Sequence, residues 1–239
     1  MDHSYERATQ FGPAMTVLAP VTIVALALIR TDSAEDLIRS GVGVVVTAGL
    51  HLIVMRTVRD RGGVVQERLW RDWGGSPTVQ RLRWSGHPAR AVERLHRRVH
   101  SMTGVALPTA DEEVDDPAGA DDVYEDAIAR MREMTRDHSR FPRVYSELVQ
   151  YGTARNLYGM RPTGLSVAAA VLAFVAVLAA LTVLQALAVN WWSLGIAGTG
   201  ALTLGAVWLL RITPAYVRPA ADRYADALLG AANEPTATT

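Results

Sequence analysis

The chain contains no cysteine, which excludes disulfide bonds, thiolate metal ligands and cysteine nucleophiles. It also contains no lysine, so all 24 basic residues are arginines and Schiff-base chemistry is excluded. Acidic and basic residues balance to a formal net charge of zero, and no overall charge favours a nucleic-acid partner. The charge is unevenly distributed, however, because long stretches of the chain carry none at all.

Four apolar stretches have the length and composition of membrane-spanning helices, namely residues 11–29, 40–55, 164–189 and 193–210. The second is short and extends through Leu37 and Ile38 to reach spanning length. The fourth carries Ala197, Ala201 and Gly205 four residues apart, a smooth face suited to close helix packing. The sequence therefore predicts an all-α membrane protein, with four transmembrane helices in two hairpins and a helical cytoplasmic domain inserted between the second and third.

The predicted divisions are a first hairpin at 11–55, the helical domain at 56–163, a second hairpin at 164–213 and a tail at 214–239. Arginines cluster just after the second span, just before the third and just after the fourth. The short link between the third and fourth spans, at residues 190–192, has no charge. The positive-inside rule then places both termini and the helical domain in the cytoplasm.

Charge also divides the helical domain. Residues 56–98 hold 11 arginines against four acids, whereas residues 111–126 hold nine acids and no arginine. We interpret 104–121 as an exposed acidic loop, and hypothesise that it docks on the basic segment as a built-in competitor for an anionic ligand. In the tail, residues 220–229 have the pattern of a short helix, and 231–239 are expected to be disordered.

A glycine pair followed by Ser76 and Pro77 predicts a sharp turn that opens a helix. The free N–H groups of such a turn can bind an anion, and neighbouring arginines can add bidentate contacts. The candidate ligand-binding residues here are Arg71, Gly74, Gly75, Ser76, Thr78, Arg81 and Arg83. The alternative is a purely structural turn, held by Trp73 and Trp84.

Arg155 and Asn156, close to the third span, can also hold a phosphate or a base edge, and complete the candidate ligand site. Their alternative role is a lipid headgroup contact with a cap on the span.

His51 lies in the second span, where an ionisable group is costly and marks a pore or gate, or else bonds to Thr16 or Thr22. The candidate pore or gating residues are His51, Thr47, Thr182 and Gln185. His96 and His100 have the spacing of a metal pair, but the arginines between them favour a solvated helix face, and we expect no metal, cofactor or catalytic residue.

Two motifs carry a resemblance to known proteins. They are Leu-Trp at 69–70 with Trp-Gly-Gly-Ser-Pro-Thr at 73–78, and Phe-Pro at 141–142 with Glu147 and Tyr-Gly-x-x-Arg-Asn-x-x-Gly at 151–159. Together they resemble an uncharacterised family of bacterial four-span membrane proteins found in defence islands, and the membrane effectors of nucleotide-signalled anti-phage systems such as Hailong. The resemblance implies an oligomeric ion channel of the bacterial inner membrane, controlled by a nucleotide or oligonucleotide on its cytoplasmic domain.

The leading hypothesis is therefore a homo-oligomer, such as a tetramer, that forms a pore gated by a phosphorylated ligand and is not an enzyme. A nucleotidyltransferase encoded nearby would supply that ligand. The alternatives are a membrane-anchored enzyme acting on nucleotides or lipid headgroups, and a membrane scaffold. The enzyme would need Asp72, Glu93, His96 and Glu147 to converge on a metal.

Overall fold

A computed structural model describes residues 3–28 and 34–233, without the side chains of residues 3, 4, 6, 7, 34–48 and 52. Every regular element in this part of the chain is a helix, which confirms the all-α prediction. The elements are α1 (His3–Ala27), α2 (Ala34–Trp73), α3 (Pro77–Leu82), α4 (Ala89–Thr103), α5 (Ala110–Asp115), α6 (Pro117–Met134), α7 (Pro142–Val183), α8 (Trp191–Leu210) and α9 (Pro214–Gly230), with a short 3-10 helix at Ala231–Asn233.

Proline, glycine and small polar residues set the helix boundaries. Proline is the first residue of α3, α6, α7 and α9, where its missing N–H costs no helical hydrogen bond. Gly104 ends α4 in the left-handed conformation, with φ of 73°. Thr109 and Glu112 form a capping box on α5, and Asn190 caps α8 through the Trp192 N–H.

Three of the described helices are long and apolar enough to cross a membrane: Ala8–Ala27 in α1, α7 with its apolar second half, and α8. These helices mark the chain as a membrane protein. The second predicted span, 40–55, falls within α2, but most of its side chains lie outside the described residues. The number of four spans therefore stays a prediction.

The chain divides into two compact units. Unit 1 comprises residues 1–65 and 152–217, and unit 2 comprises 66–151 and 218–239. The two longest helices, α2 and α7, each have residues in both units.

In unit 1, α8 packs against α1 and α7 through the small-residue face that the sequence predicted. Ala197 and Ala201 are buried together with Val24 of α1 and Val171 of α7. Gly205 belongs to the same face, because a methyl group placed on it would lie 3.6 Å from the Ala168 side chain. The prediction of a smooth packing face is confirmed.

In unit 2, α3, α4, α6 and α9 share one core with the start of α7. Tyr124, Ile128 and Met131 of α6 lie at its centre, with Leu82 of α3 and Leu228 of α9. Ala231 is also buried there, so the expectation of disorder is wrong for the 3-10 helix that follows α9. The segment is only three residues long, too short for an apolar pattern in the sequence to show that it packs on a core.

Two further expectations are corrected. The acidic segment is not a loop, because a capping box and Pro117 allow it to form α5 and the start of α6. The helix of the third span ends at Val183 rather than at residue 189. Gln185 lies in the turn that follows the helix, with a φ of 56°, and its side chain is exposed.

Candidate functional site

The Gly74–Gly75 turn is formed as the sequence predicted, with φ of 77° and 124° at the two glycines. The Ser76 side chain accepts a hydrogen bond from the Val79 N–H at 3.3 Å and so caps α3. The Gln80 amide donates to the carbonyl oxygens of Trp73 and Gly75, which closes the turn from the other side. Ser76 and Thr78 are buried, with their hydroxyls 3.0 Å apart. Hydrogen bonds from residues of the turn and of α3 therefore hold the turn in place.

Arg83 is held by the chain itself. It donates to both carboxylate oxygens of Asp121 on α6, at 2.8 and 2.5 Å, and to the Gly74 carbonyl at 2.7 Å. The hydrogen bond to Asp121 raises the pKa of Arg83 above its ordinary value, against a smaller effect of burial. A bidentate carboxylate therefore occupies the guanidinium that was expected to bind a ligand.

Arg81 has a similar arrangement with α9. It donates to Asp226 at 2.5 and 3.1 Å and to Asp222 at 3.5 Å. Its side chain is still 28% exposed, and the hydrogen bond to Asp226 is the main reason that its pKa is raised. Arg218 bonds the same Asp222 at 3.1 Å.

Arg218 also ties α9 to the turn. It donates to the Gln80 side chain at 2.7 Å, and its guanidinium lies 5.0 Å from the Trp73 ring centre. The turn, α3 and α9 thus share one hydrogen-bonded network of arginines and aspartates. The i, i+4, i+8 spacing of Arg218, Asp222 and Asp226 indicates one helix face in the sequence. The sequence does not indicate that this face contacts Arg81 and Gln80 of α3.

Unit 2 also holds a half-buried polar cluster that sequence reasoning missed. Glu113 of the acidic segment accepts hydrogen bonds from the Trp84 backbone N–H at 3.0 Å and the Tyr124 hydroxyl at 2.6 Å. Burial, then the bond to Glu113, raises the pKa of Tyr124 far above its usual value. The acidic segment is therefore anchored to the domain core by Glu113 as well as Asp121.

His96 is buried in this region, whereas a solvated helix face was expected. Its Nε2 lies 2.7 Å from the Leu82 carbonyl oxygen, and its ring packs edge-on against Trp84. Burial lowers the pKa of His96, against smaller opposing effects of the Leu82 carbonyl and Glu113. His100 instead bonds the Val105 carbonyl through Nδ1 at 2.9 Å.

Three of the four residues named for a catalytic metal site, Glu93, His96 and Glu147, have other contacts. Glu147 pairs with Arg223 at 3.2 Å, and Glu93 lies 3.8 Å from Arg97. Among the described side chains, no group of three or more histidine, aspartate or glutamate residues is arranged to hold a metal ion.

Arg155 and Asn156 belong to unit 1, whereas the turn and its arginines belong to unit 2. Asn156 is 2% exposed and donates to the Thr9 carbonyl of α1 at 3.1 Å. Arg155 donates to the Asn156 side chain at 3.2 Å.

The same face of α7 carries Gly152 and Gly159. An added methyl group at Gly152 would lie 2.5 Å from the Tyr5 hydroxyl, and one at Gly159 would lie 3.0 Å from the Arg61 carbonyl. The spacing of the Tyr-Gly-x-x-Arg-Asn-x-x-Gly motif thus serves close packing of α7 on α1 and α2.

His51 lies on α2 opposite Phe11, with 5.2 Å between ring centres. Both of its ring nitrogens are buried, and neither has a hydrogen-bond partner in the described part of the chain. Thr16 and Thr22 donate instead to carbonyls of their own helix, at 2.9 and 3.1 Å. The alternative of a bond from His51 to either threonine is therefore wrong.

The other candidate pore residues differ in position. Thr182 donates to the Leu178 carbonyl at 2.8 Å near the end of α7. Thr47 lies in α2, but its side chain is outside the described residues. Arg71, the remaining candidate ligand residue, is exposed in the last turn of α2.

Comparison of the chain with protein-family models, with curated proteins and with solved structures found no match.

Proposed function

We propose that this protein is an oligomeric membrane effector of the bacterial inner membrane, whose helices form an ion-conducting pore gated by a phosphorylated ligand on unit 2. The ligand is a nucleotide or short oligonucleotide, and the setting is anti-phage defence, as the resemblance of the two motifs implies. Three apolar helices support the membrane location. The arginine-rich flanks of the spans support a fourth span at 40–55 and cytoplasmic termini.

The main support for a pore is the environment of His51. An imidazole among apolar helices is costly unless it reaches water, an ion or a polar partner. Neither ring nitrogen has such a partner within the described part of a single chain. We assign the missing partner to the assembly, in which water in a pore or a second copy reaches His51. One chain has too few helices to enclose a pore, so several copies are required.

The ligand site proposed on unit 2 is the pair of half-buried arginines beside the Gly74–Gly75 turn. Arg81 and Arg83 present planar forks that match a phosphoryl group as well as a carboxylate. Asp226 and Asp121 occupy those forks in the structure. A ligand phosphate would replace one or both aspartates. Asp121 belongs to the acidic segment that was hypothesised to compete with a ligand, whereas Asp226 is a second competitor, on α9 and outside that segment.

Replacement of Asp226 would loosen α9 from α3, since the Arg81–Asp226 pair joins those helices. The change would reach the spans through α2 and α7, whose residue ranges extend into both units.

Ion flux from liposomes tests this function. Purified wild-type protein is reconstituted with a trapped fluorescent ion indicator, and ATP, cyclic dinucleotides and short oligoadenylates are added in turn. We expect one of these ligands to start flux, and His51→Leu to change its rate or ion selectivity. His87→Leu, at an exposed turn of unit 2, is the matched control and should behave as wild type. A folded oligomer that gives no flux with any ligand would contradict the proposal.

A further inference from the structure

The outer face of α4 is strongly basic and has few partners within its own chain. Val92, His96 and Val99 face the core of unit 2, while the four arginines of the helix, Arg90, Arg94, Arg97 and Arg98, are exposed. In the described part of the chain, Arg90 and Arg94 form no ion pair. The pair between Arg97 and Glu93 is long, at 3.8 Å, and its side chains are 68% and 58% exposed. Such a pair contributes little.

An acidic face of complementary charge lies on α5 and the first half of α6. Several acids there serve the fold of their own chain: Glu112 and Asp116 cap helices, and Glu113 and Asp121 are anchored to the core. The others point outward, and within the described residues Asp111, Asp115, Asp122 and Glu125 form no ion pair. Both faces therefore carry charged side chains that form no ion pair within the described part of their own chain.

Each face also has an apolar feature. Val114 is 77% exposed between the acids of α5. Where α4 ends beside the second half of α6, a shallow hollow of about 380 Å³ is lined by Thr103, Ala129, Arg130, Glu133 and Met134. The hollow is six residues from Arg97 on α4, roughly 9 Å along a helix. An apolar centre within a charged rim is the usual composition of a protein interface.

We propose that, in the homo-oligomer, the acidic face of α5 and α6 of one copy docks on the basic face of α4 of a second copy, with Val114 in the hollow beside Thr103. This inference rests on the proposed function for the existence of the oligomer. Because the two faces are different parts of unit 2, the contact is heterologous, and it forms a ring when the rotation between neighbouring copies closes. Its attraction is electrostatic and weakens as salt rises.

A charge-swap experiment tests the docking in the full-length chain. Variant A carries Arg94→Glu with Arg97→Glu, and so presents two acidic faces. Variant B carries Asp115→Arg with Asp122→Arg, and so presents two basic faces. Arg68→Glu with Arg143→Glu makes the same charge change at exposed sites outside α4 and is the control.

Each protein is purified in detergent, and its mass is measured by light scattering, with circular dichroism confirming the fold. We expect the wild type and the control to be oligomers, and folded A and folded B to dissociate when alone. Co-expression of A and B under different tags should restore an assembly that contains both. Val114→Ser should weaken association of the otherwise unchanged chain.

Wild-type assembly by A alone or B alone would overturn the docking. Dissociation of both without recovery in the mixture would overturn it as well, since each face would then serve another partner. A Val114→Ser variant that associates like the wild type would overturn the placement of Val114 in the hollow. If the docking fails while the wild type still gives ligand-dependent flux, only the docking is wrong. If A and B assemble together but no protein gives flux, the pore is wrong and the docking stands.

Discussion

His96 is a buried imidazole whose pKa lies below its ordinary value, chiefly because burial disfavours the charged ring. A lowered pKa means that the unfolded chain binds a proton at a higher pH than the folded chain does. The stability that neutral His96 contributes is therefore complete above the unfolded value of about 6.5, and is lost as the pH falls below it.

We accordingly predict that the melting temperature of the wild type falls as the pH is lowered below about 6.5. His96→Gln keeps a donor for the Leu82 carbonyl and should lose much of this pH dependence. Thermal unfolding of the full chain in detergent, followed by tryptophan fluorescence, measures both. His87→Gln is the control, because His87 is exposed. An equal pH slope for wild type and His96→Gln would contradict the assignment.

Gly164 is a position where the absence of a side chain is required by packing. A methyl group added there would overlap the ring of Trp208, which is fully buried in unit 1. Gly195 on α8 has no atom within 4 Å of such a methyl group.

Gly164→Ala should therefore destabilise the protein by about 1–3 kcal/mol, the usual cost of overpacking. Gly195→Ala should be neutral or slightly stabilising. Melting temperatures of the two variants in the same detergent compare them directly. Equal stability of both would show that α7 and α8 pack differently from the structure.

The contact between α3 and α9 depends on a few ion pairs, since Asp226 and Asp222 of α9 both reach Arg81. Asp226→Asn removes the competing charge while keeping the size of the side chain. We expect it to tighten binding of the phosphorylated ligand, whereas Arg81→Ala should weaken binding about tenfold or more, because charge-assisted hydrogen bonds contribute about 1.5–3 kcal/mol.

Titration calorimetry with the ligand found in the flux assay measures these affinities. Asp126→Asn is the matched control, because Asp126 pairs with exposed Arg130 on its own helix. If Asp226→Asn and Asp126→Asn bind the ligand equally, Asp226 is not a competitor.

The helices were predictable where local signals define them, and the pairings between distant helices were not. The glycine pair, Ser76 and Pro77 specify the turn and the start of α3, and the small-residue spacing of α8 specifies a packing face. Arg81 and Arg83 were found as candidates, but nothing local indicates that Asp226, 145 residues away, and Asp121, 38 away, occupy them. The same limit explains Asn156, whose Thr9 partner is 147 residues distant.

In the whole molecule, we propose that three parts act together. They are the apolar helices with His51, which has no hydrogen-bond partner among the described residues, unit 2 with its aspartate-bound Arg81 and Arg83, and the complementary charged faces that would bring copies together. Each part depends on the next, because a pore needs several copies and gating needs a ligand that competes with Asp226.

Current across a planar bilayer that contains the purified wild type shows whether a ligand opens a pore. We predict little current before addition of the phosphorylated ligand, discrete conductance steps after it, and no ligand response from folded, assembled Arg81→Ala. If a folded wild-type oligomer passes no current with any nucleotide or oligonucleotide on either side of the bilayer, the protein is not a ligand-gated pore.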